Sequence, residues 1–319
     1  MFKKAIGIAA FTLSLAAAHA QTWPTQTIKY VVPFPPGGAT DLMSRPLVEK
    51  LQQRLGQPVV IENIGGAGGS IGASRIAQSK PDGYVIGLGN SASHTITPHL
   101  LAKTPYDPLK DFTPIAMLNE YVNILVVNPS LQVRDMKSFL ALARQKPGGL
   151  RYGSAGNGSS NHLTAEVLAS QAQLKFTHIP YKGNSAALTD VMAGHIEWMF
   201  GTISEVAPYV ESGKLVALGT SGTKSDPLLP RVPPIGESVP NFAVTGFMAL
   251  FGPAGMPGSV VQRLNDEVNT ILKTPDIVER YAKAGMKATP SSSSELEARV
   301  RADHALWKKV IETAGIKAE

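Results

Sequence analysis

The residues of this chain that are grouped closely enough to do chemistry are glycines and small hydroxyl or amide residues. They cluster at 33–41 (PFPPGGATD), 65–70 (GGAGGS), 89–93 (GNSAS) and 153–160 (GSAGNGSS), with a shorter YKGN at 181–184. Glycine lets a backbone approach a ligand with no Cβ in the way. A helix that starts where such a loop ends points free N–H groups and the positive end of its dipole at the loop. That combination holds a carboxylate or phosphate without any basic side chain. Within these loops Asp41 is the only acid and Lys182 the only base. Such loops suit capture of a neutral-to-anionic small molecule better than acid–base catalysis.

Three catalytic or cofactor patterns compete with that reading, and each is thin. Gly68-Gly69-Ser70-Ile71-Gly72 fits the G-x-S-x-G nucleophile pattern and precedes a helix, but it lies in a glycine stretch where the match arises by chance. His94 and His99 are five apart, and no His-Glu-x-x-His is present, so no metal site is expected. Gly87-x-Gly89-x-x-Ala92 follows a strand. A dinucleotide site would need an acid ~20 positions on, and Tyr106, Asp107 and Asp111 are only an approximation to it. The reading is therefore of a protein that is not an enzyme and carries no cofactor.

The elements that must position these loops alternate. Ile28 to Val32 is a strand running into the first loop, and Leu42 to Leu55 has helical spacing with Gly56 as its stop. Pro46 leaves the start of that helix open: either Thr40 or Asp41 caps it, with a kink at Pro46, or Ser44 caps it, with Pro46 in the first turn. Strands at Val59 to Glu62 and Tyr84 to Leu88 flank a helix over Ile71 to Gln78. The middle repeats the grammar. Strands fall at 124–127, 150–152, 176–180, 195–200 and 215–218, with helices at 135–145, 162–171 and 185–193. A Pro-rich irregular stretch at 226–240 precedes a strand at 247–251 and helices at 259–273 and 294–313. This alternation predicts an α/β fold with mixed, largely parallel sheets, and in such sheets ligands bind at the carboxyl ends of the strands.

Composition bounds the class. The 319 residues suit two domains and a sizeable core, and 43% hydrophobic with 17% charged is an ordinary globular balance. The absence of cysteine excludes disulfides, thiolate metal sites and cysteine nucleophiles. Lys3 and Lys4, the apolar run Ala5 to Ala18 and the Ala18-His19-Ala20 site predict a cleavable signal peptide over 1–20, and export. Losing Lys3 and Lys4 lowers the formal charge from +6 to +4. No basic run interleaved with aromatics argues for nucleic acid.

In these loops and in the runs that join them, the chain resembles the Bug receptors, the periplasmic solute-binding proteins of tripartite tricarboxylate transporters. The resemblance rests on VVPFPPGGATD (31–41) with Arg45, LGQPVVIEN (55–63), GAGGSIGA (66–73), PDGY (81–84) and PYDPLKDFTPI (105–115). It continues through LVVNPS (125–130), YGSAGNGSSNHL (152–163), HIPYKG (178–183), FGPAGMP (251–257) and the final Trp307 helix ending in AGI (314–316). The set covers essentially the whole mature chain in order. One departure is Ile64-Gly65, where the family usually has Arg-Pro after Glu-Asn.

The resemblance implies a two-domain Venus-flytrap of the type II periplasmic-binding class. Domain I would comprise 21–122 and 244–319, and domain II 123–243, with crossings near 119–123 and 242–247. It implies a periplasmic monomer that binds a small carboxylate between the domains and delivers it to membrane permease subunits. A ligand-presenting partner of a signalling receptor would use the same cleft. Carried over by position, the contacts are Phe34, Pro35, Gly38, Ala39, Thr40, Asp41, Ser70 and Ser91 from domain I. Domain II supplies Ser154, Gly156, Asn157, Gly158, Ser159, Tyr181 and Lys182. Asp41 reads mainly as a loop organiser and cap, since a bare carboxylate would repel an anionic ligand. Met192, Trp198 and Met199 read as core before they read as an apolar cleft wall.

Overall fold

The computed structural model describes residues 23–316 apart from 38, 102, 147 and 182. The expected signal peptide, Gly38 and Lys182 thus lie outside the described residues. The strands are β1 (Ile28–Val32), β2 (Val59–Asn63), β3 (Val85–Asn90), β4 (Phe112–Val127), β5 (Arg151–Ser154), β6 (Thr177–Pro180), β7 (Trp198–Thr202), β8 (Val216–Thr220), β9 (Thr245–Pro253) and β10 (Met286–Ala288). The helices are α1 (Ala39–Leu55), α2 (Ser70–Ala77), α3 (Thr97–Leu100), α4 (Met136–Gln145), α5 (Ser160–Ala172), α6 (Asn184–Ala193), α7 (Ile203–Glu211), α8 (Gly258–Leu272), α9 (Pro275–Lys283) and α10 (Ser293–Ala314).

Two parallel blocks, β2-β1-β3 and β7-β5-β6, are joined through the antiparallel pair β9-β4. The result is the expected α/β architecture with a mixed sheet. β4 changes partners along its length. Phe112 to Val122 pairs with β9, whereas Asn123 to Val127 pairs with β7 and β8. The return is equally abrupt: Val244 N–H donates to the Ser221 carbonyl at 2.7 Å, and Thr245 pairs with Val122.

The core follows this division. One apolar cluster joins β1, β3, the first part of β4, α1 and α8 through residues such as Tyr30, Leu47, Leu51, Ile115, Leu264 and Tyr281. Another joins the last part of β4 to α4, α5 and β7 through Leu125, Phe139, Leu163, Trp198 and Phe200. Helix α10 serves both sides. Its Leu296 and Val300 pack with Phe247 and Phe251, while its Trp307 and Ile311 pack into the cluster of Trp198.

Several elements escape the sequence patterns. The 112–122 part of β4 carries Pro114, Asn119 and Glu120, and its register slips at Pro114/Ala116 and Met117/Asn119. Those bulges destroy a period of two. Helix α7 contains Pro208, and α9 buries only Ile277 and Tyr281. Helix α1 starts at Ala39, before any of the expected caps, and keeps Pro46 inside. Ser44 is no cap: its hydroxyl donates to the Thr40 carbonyl at 2.7 Å within the helix. The 92–96 segment, read as the end of a loop, is a π-helical turn that buries Ser93, His94, Thr95 and Ile96.

Candidate functional site

The first loop is organised around one carboxylate. Asp41, 1% exposed, accepts from Gly37 N–H at 2.9 Å, from Arg45 Nε at 2.9 Å and Nη2 at 3.2 Å, and from Asn63 Nδ2 at 3.1 Å. Burial pushes this carboxyl up, but the Gly37 N–H, the Arg45 guanidinium and the Asn63 amide outweigh it and hold the group below the ordinary carboxylate value. Asn63 also donates to the Phe34 carbonyl at 3.1 Å. It can do so because β1 and β2 end together, with Val32 opposite Asn63. The charge of Asp41 is thus consumed inside the loop. Pro35 is exposed, Thr40 is buried in the first turn of α1, and Ala39 opens that helix.

The second and third loops pack on the first. A Cβ at Gly69 would stand 3.0 Å from the Phe34 ring and 3.3 Å from Ser93 Cβ. A Cβ at Gly72 would stand 2.6 Å from the Ile64 carbonyl oxygen and from Pro33 Cα. Ser70 is buried at the start of α2. Ser91 is buried as well, and its hydroxyl accepts from Phe247 N–H at 2.9 Å, which ties the loop after β3 to β9. Next to it, Ser93 N–H donates to Asn90 Oδ1 at 3.0 Å.

The loop after β5 is also tied internally. Ser154 Oγ accepts from Gly156 N–H at 3.1 Å and lies 2.6 Å from His178 Nε2. Gly158 N–H donates to His162 Nδ1 at 3.0 Å, and the Ser159 hydroxyl donates to the Gly156 carbonyl at 2.6 Å. Asn157 is exposed. Asn161 donates to the Phe200 carbonyl and to Asn184 Oδ1, and Asn184 in turn donates to Glu205 at 2.6 Å. The starts of α5, α6 and α7 are therefore linked by one polar chain. Tyr181 N–H donates to the Ser154 carbonyl, while its hydroxyl donates to Asp190 at 2.6 Å. Burial and the Asp190 carboxylate push that phenol up to about 12.

Many loop N–H groups are thus spent within their loops, and in the first turns of α2 and α5 the Ser70 and His162 N–H groups donate to the Ala67 carbonyl and to Asn161 Oδ1. Helices α2, α5, α6 and α7 begin at Gly69, Ser159, Gly183 and Thr202 with no side-chain cap. Helices α4 and α10 carry full capping boxes at Asp135 and Ser292. A missing cap marks availability only, because α8 and α9 lack one too and begin away from these loops.

The loop after β5 also packs on the chain that precedes β4: a Cβ at Gly158 would stand 2.3 Å from Leu100 Cδ1. Cavities of about 490 Å³ beside Lys50 and Arg280, and of about 680 Å³ beside His99 and Arg301, are lined by none of the candidate residues.

His94 and His99 lie in different surroundings. His94 is buried between Phe251, Phe112 and Tyr106, and burial pushes its imidazole down to about 3. His99 instead lies against His304, with the two rings tilted by 56° and its Nε2 2.9 Å from the His304 carbonyl oxygen. Among the described residues no group of three His, Cys, Asp or Glu could hold a metal ion. Trp198 and Met199 are core residues. Sequence reasoning missed Asn63, Asn90, Asn161 and Glu205. Their one signal was their place at strand ends, for Asn63 and Asn90, or in the first turn of the helix that follows a strand, for Asn161 and Glu205.

Among the described residues no helix is long and apolar enough to cross a membrane. The profile of the tripartite tricarboxylate transporter family receptor matches residues 43–316. The chain is 35% identical over 308 residues, 96% of its length and 91% of the relative's, to a protein of the tcbD–tcbE intergenic region of Pseudomonas sp. strain P51. It is similar to the Rhodopseudomonas palustris protein Rpa4515 solved with adipate, at 32% identity and a TM-score of 0.78 over 92% of this chain and 99% of that one. It is likewise similar to MatC of Rhodopseudomonas palustris with bound malate, at 30% identity and a TM-score of 0.74 over 91% and 100%. With its α/β fold, its uncapped loop helices and a family match over most of its length, the chain belongs to the receptor family of the tripartite tricarboxylate transporters, solute-binding proteins and not enzymes.

Proposed function

We propose that this receptor captures a small carboxylate between two lobes in the periplasm and hands it to the membrane permease subunits of a tripartite tricarboxylate transporter. One lobe would be 21–122 with 244–319 and the other 123–243. The partner change of β4 at Val122/Asn123 and the return at Val244/Thr245 support that division. The adipate and malate of the two similar structures support a carboxylate as the ligand. Export would follow from the leader at 1–20.

The observation that carries the reading is the fate of Asp41. Its carboxylate is bonded by Gly37 N–H, Arg45 and Asn63 within its own loop, so it does not stand as a bare anion before the positive ends of the helices nearby. The ligand carboxylate would lie against the first turns of α1 and α2 on one side and of α5 and α6 on the other. Phe34, Pro35, Gly38, Ala39, Thr40, Ser70 and Ser91 would line the first side. Ser154, Gly156, Asn157, Gly158, Ser159, Tyr181 and Lys182 would line the second, with Tyr181 contributing its ring and backbone. Binding both lobes at once would favour the closed form.

The test is a thermal-shift screen of the chain from Gln21 onward against small carboxylic acids, adipate and malate among them, each beside its amide. A ligand at 100 times its dissociation constant adds about 2.7 kcal/mol. A shift with an acid and none with its amide is expected. No shift with any acid, in protein that was denatured and refolded to remove bound solute, would refute the reading.

A further inference from the structure

The loop after β5 rests on two histidines that no ligand contact requires. His162, buried in α5, and His178, in β6, stack face to face with ring centroids 3.9 Å apart and planes 8° from parallel. The Tyr152 ring lies 4.9 Å from that of His178 and 6.3 Å from that of His162, within 23° of parallel to both, and Trp198 packs against Tyr152 at 4.9 Å. Each imidazole then makes one bond to the loop. His162 Nδ1 accepts Gly158 N–H at 3.0 Å, and His178 Nε2 lies 2.6 Å from Ser154 Oγ. Ser154 Oγ passes the restraint on, since it also bonds both the N–H and the carbonyl of Gly156.

We infer that His162 and His178 are positioning residues for ligand capture, a stacked neutral pair that fixes the 154–159 loop and with it the open first turn of α5. The inference rests on the function proposed above for that loop. Neutrality is part of the device. An imidazolium has no acceptor at Nδ1, so a protonated His162 could not take the Gly158 N–H. Two imidazolium rings at this spacing would also repel. Burial pushes both rings down, His162 to about 3 and His178 to about 4, and the neighbouring His178 lowers His162 further. The Glu166 carboxylate accepts the Tyr152 hydroxyl at 2.6 Å and stands 3.9 Å from His162 Nε2, too far for a hydrogen bond. Gly158 needs the restraint. It sits at a φ of +73° with Leu100 against its α-carbon, so a shift of the loop is also a shift of the contact between the halves.

The test compares His162→Phe, which keeps the stack and loses the acceptor, with His162→Asn, whose Oδ1 falls near the lost Nδ1. His178→Phe is the second arm. Amide hydrogen exchange is read on the ligand-free mature chain, with adipate and malate affinities measured alongside. His162→Phe should raise exchange at Gly158 at least tenfold while β1 and β2 keep their protection, and His162→Asn should return it to within about threefold of wild type. Unchanged exchange at Gly158 in both phenylalanine variants would overturn the inference. So would a rise spread equally over the whole chain, which marks mere destabilisation. If exchange behaves as expected but neither acid binds wild type, the pinning role stands and the carboxylate reading fails instead.

Discussion

Replacing Asp41 tests the organisation of the first loop directly. Asp41→Ala removes the acceptor for Gly37 N–H and Asn63 Nδ2 and the partner of Arg45. A hydrogen bond to a charged group contributes roughly 1.5–3 kcal/mol. Gly37 is exposed and Asn63 half-buried, so water replaces part of each bond and the low end applies. The Arg45 side chain is 55% exposed, which limits the ion pair to about 0.2–1 kcal/mol. The expected loss is about 2–4 kcal/mol. A chain of this length shifts by about 2 °C per kcal/mol, so Tm should fall by roughly 4–8 °C in a thermal melt. The pH dependence has a definite sign. The carboxyl is held below its unfolded value of about 3.9, so its stabilisation is complete above that pH and is lost as the pH falls through the lower folded value. The gap between wild type and Asp41→Asn should therefore be full at pH 7 and close below about pH 4. Equal melting of Asp41→Ala and wild type at pH 7 would refute this account of the loop.

Three further substitutions probe its surroundings. Gly72→Ala gains about 1 kcal/mol of helix propensity but drives a Cβ to 2.6 Å from the backbone at Ile64 and Pro33, at a cost of about 1–3 kcal/mol or more; a lowered Tm is expected, and a raised one would mean the loop yields freely. Tyr181→Phe should leave carboxylate affinity within twofold, because the hydroxyl is already bonded to Asp190; a tenfold loss in calorimetry would show that the hydroxyl turns to the ligand. Arg299 of α10 is bonded to Glu120, Asp303 and both oxygens of Thr245, with its side chain 21% exposed, so Arg299→Ala should cost about 3 kcal/mol in denaturant melts, and a loss under 1 kcal/mol would make it a surface residue in effect.

The loops were legible because glycine and small polar residues leave a mark wherever they cluster, and because they recur after β-rich runs. That Asp41 organises its loop was legible too, from the cost of setting a bare carboxylate before an anion. What spacing could not supply was direction. Nothing in the order of residues says that Asn63 reaches back to Phe34 and Asp41, or that Asn161 spans to Phe200 and Asn184. Those bonds depend on the register of parallel strands that are distant in sequence. The first part of β4 was hidden for a different reason, since its bulges break the alternation by which a strand is read.

Capture by backbone dipoles places a demand on the whole chain. A peptide N–H that can turn away gains nothing from its ligand, so the loops must be rigid before binding. Here each half secures its loops with its own polar network: Asp41 and Asn63 in one, Ser154, Asn161 and the histidine pair in the other. The links between them are β4 at Val122/Asn123 and the start of β9 at Val244/Thr245. On the proposed reading, closure turns there. Helix α10 then limits the motion. Its Trp307 and Ile311 are buried in the cluster of Trp198, while Leu296 and Val300 are buried against Phe247 and Phe251. Exposing either pair of side chains would cost roughly 1.5–3 kcal/mol for each aliphatic residue, and more for the tryptophan. On the proposed reading, a hinge axis that runs beside α10 would keep both contacts and avoid that cost. Arg299 sits at that place, holding Glu120 and Thr245 from the two crossing strands.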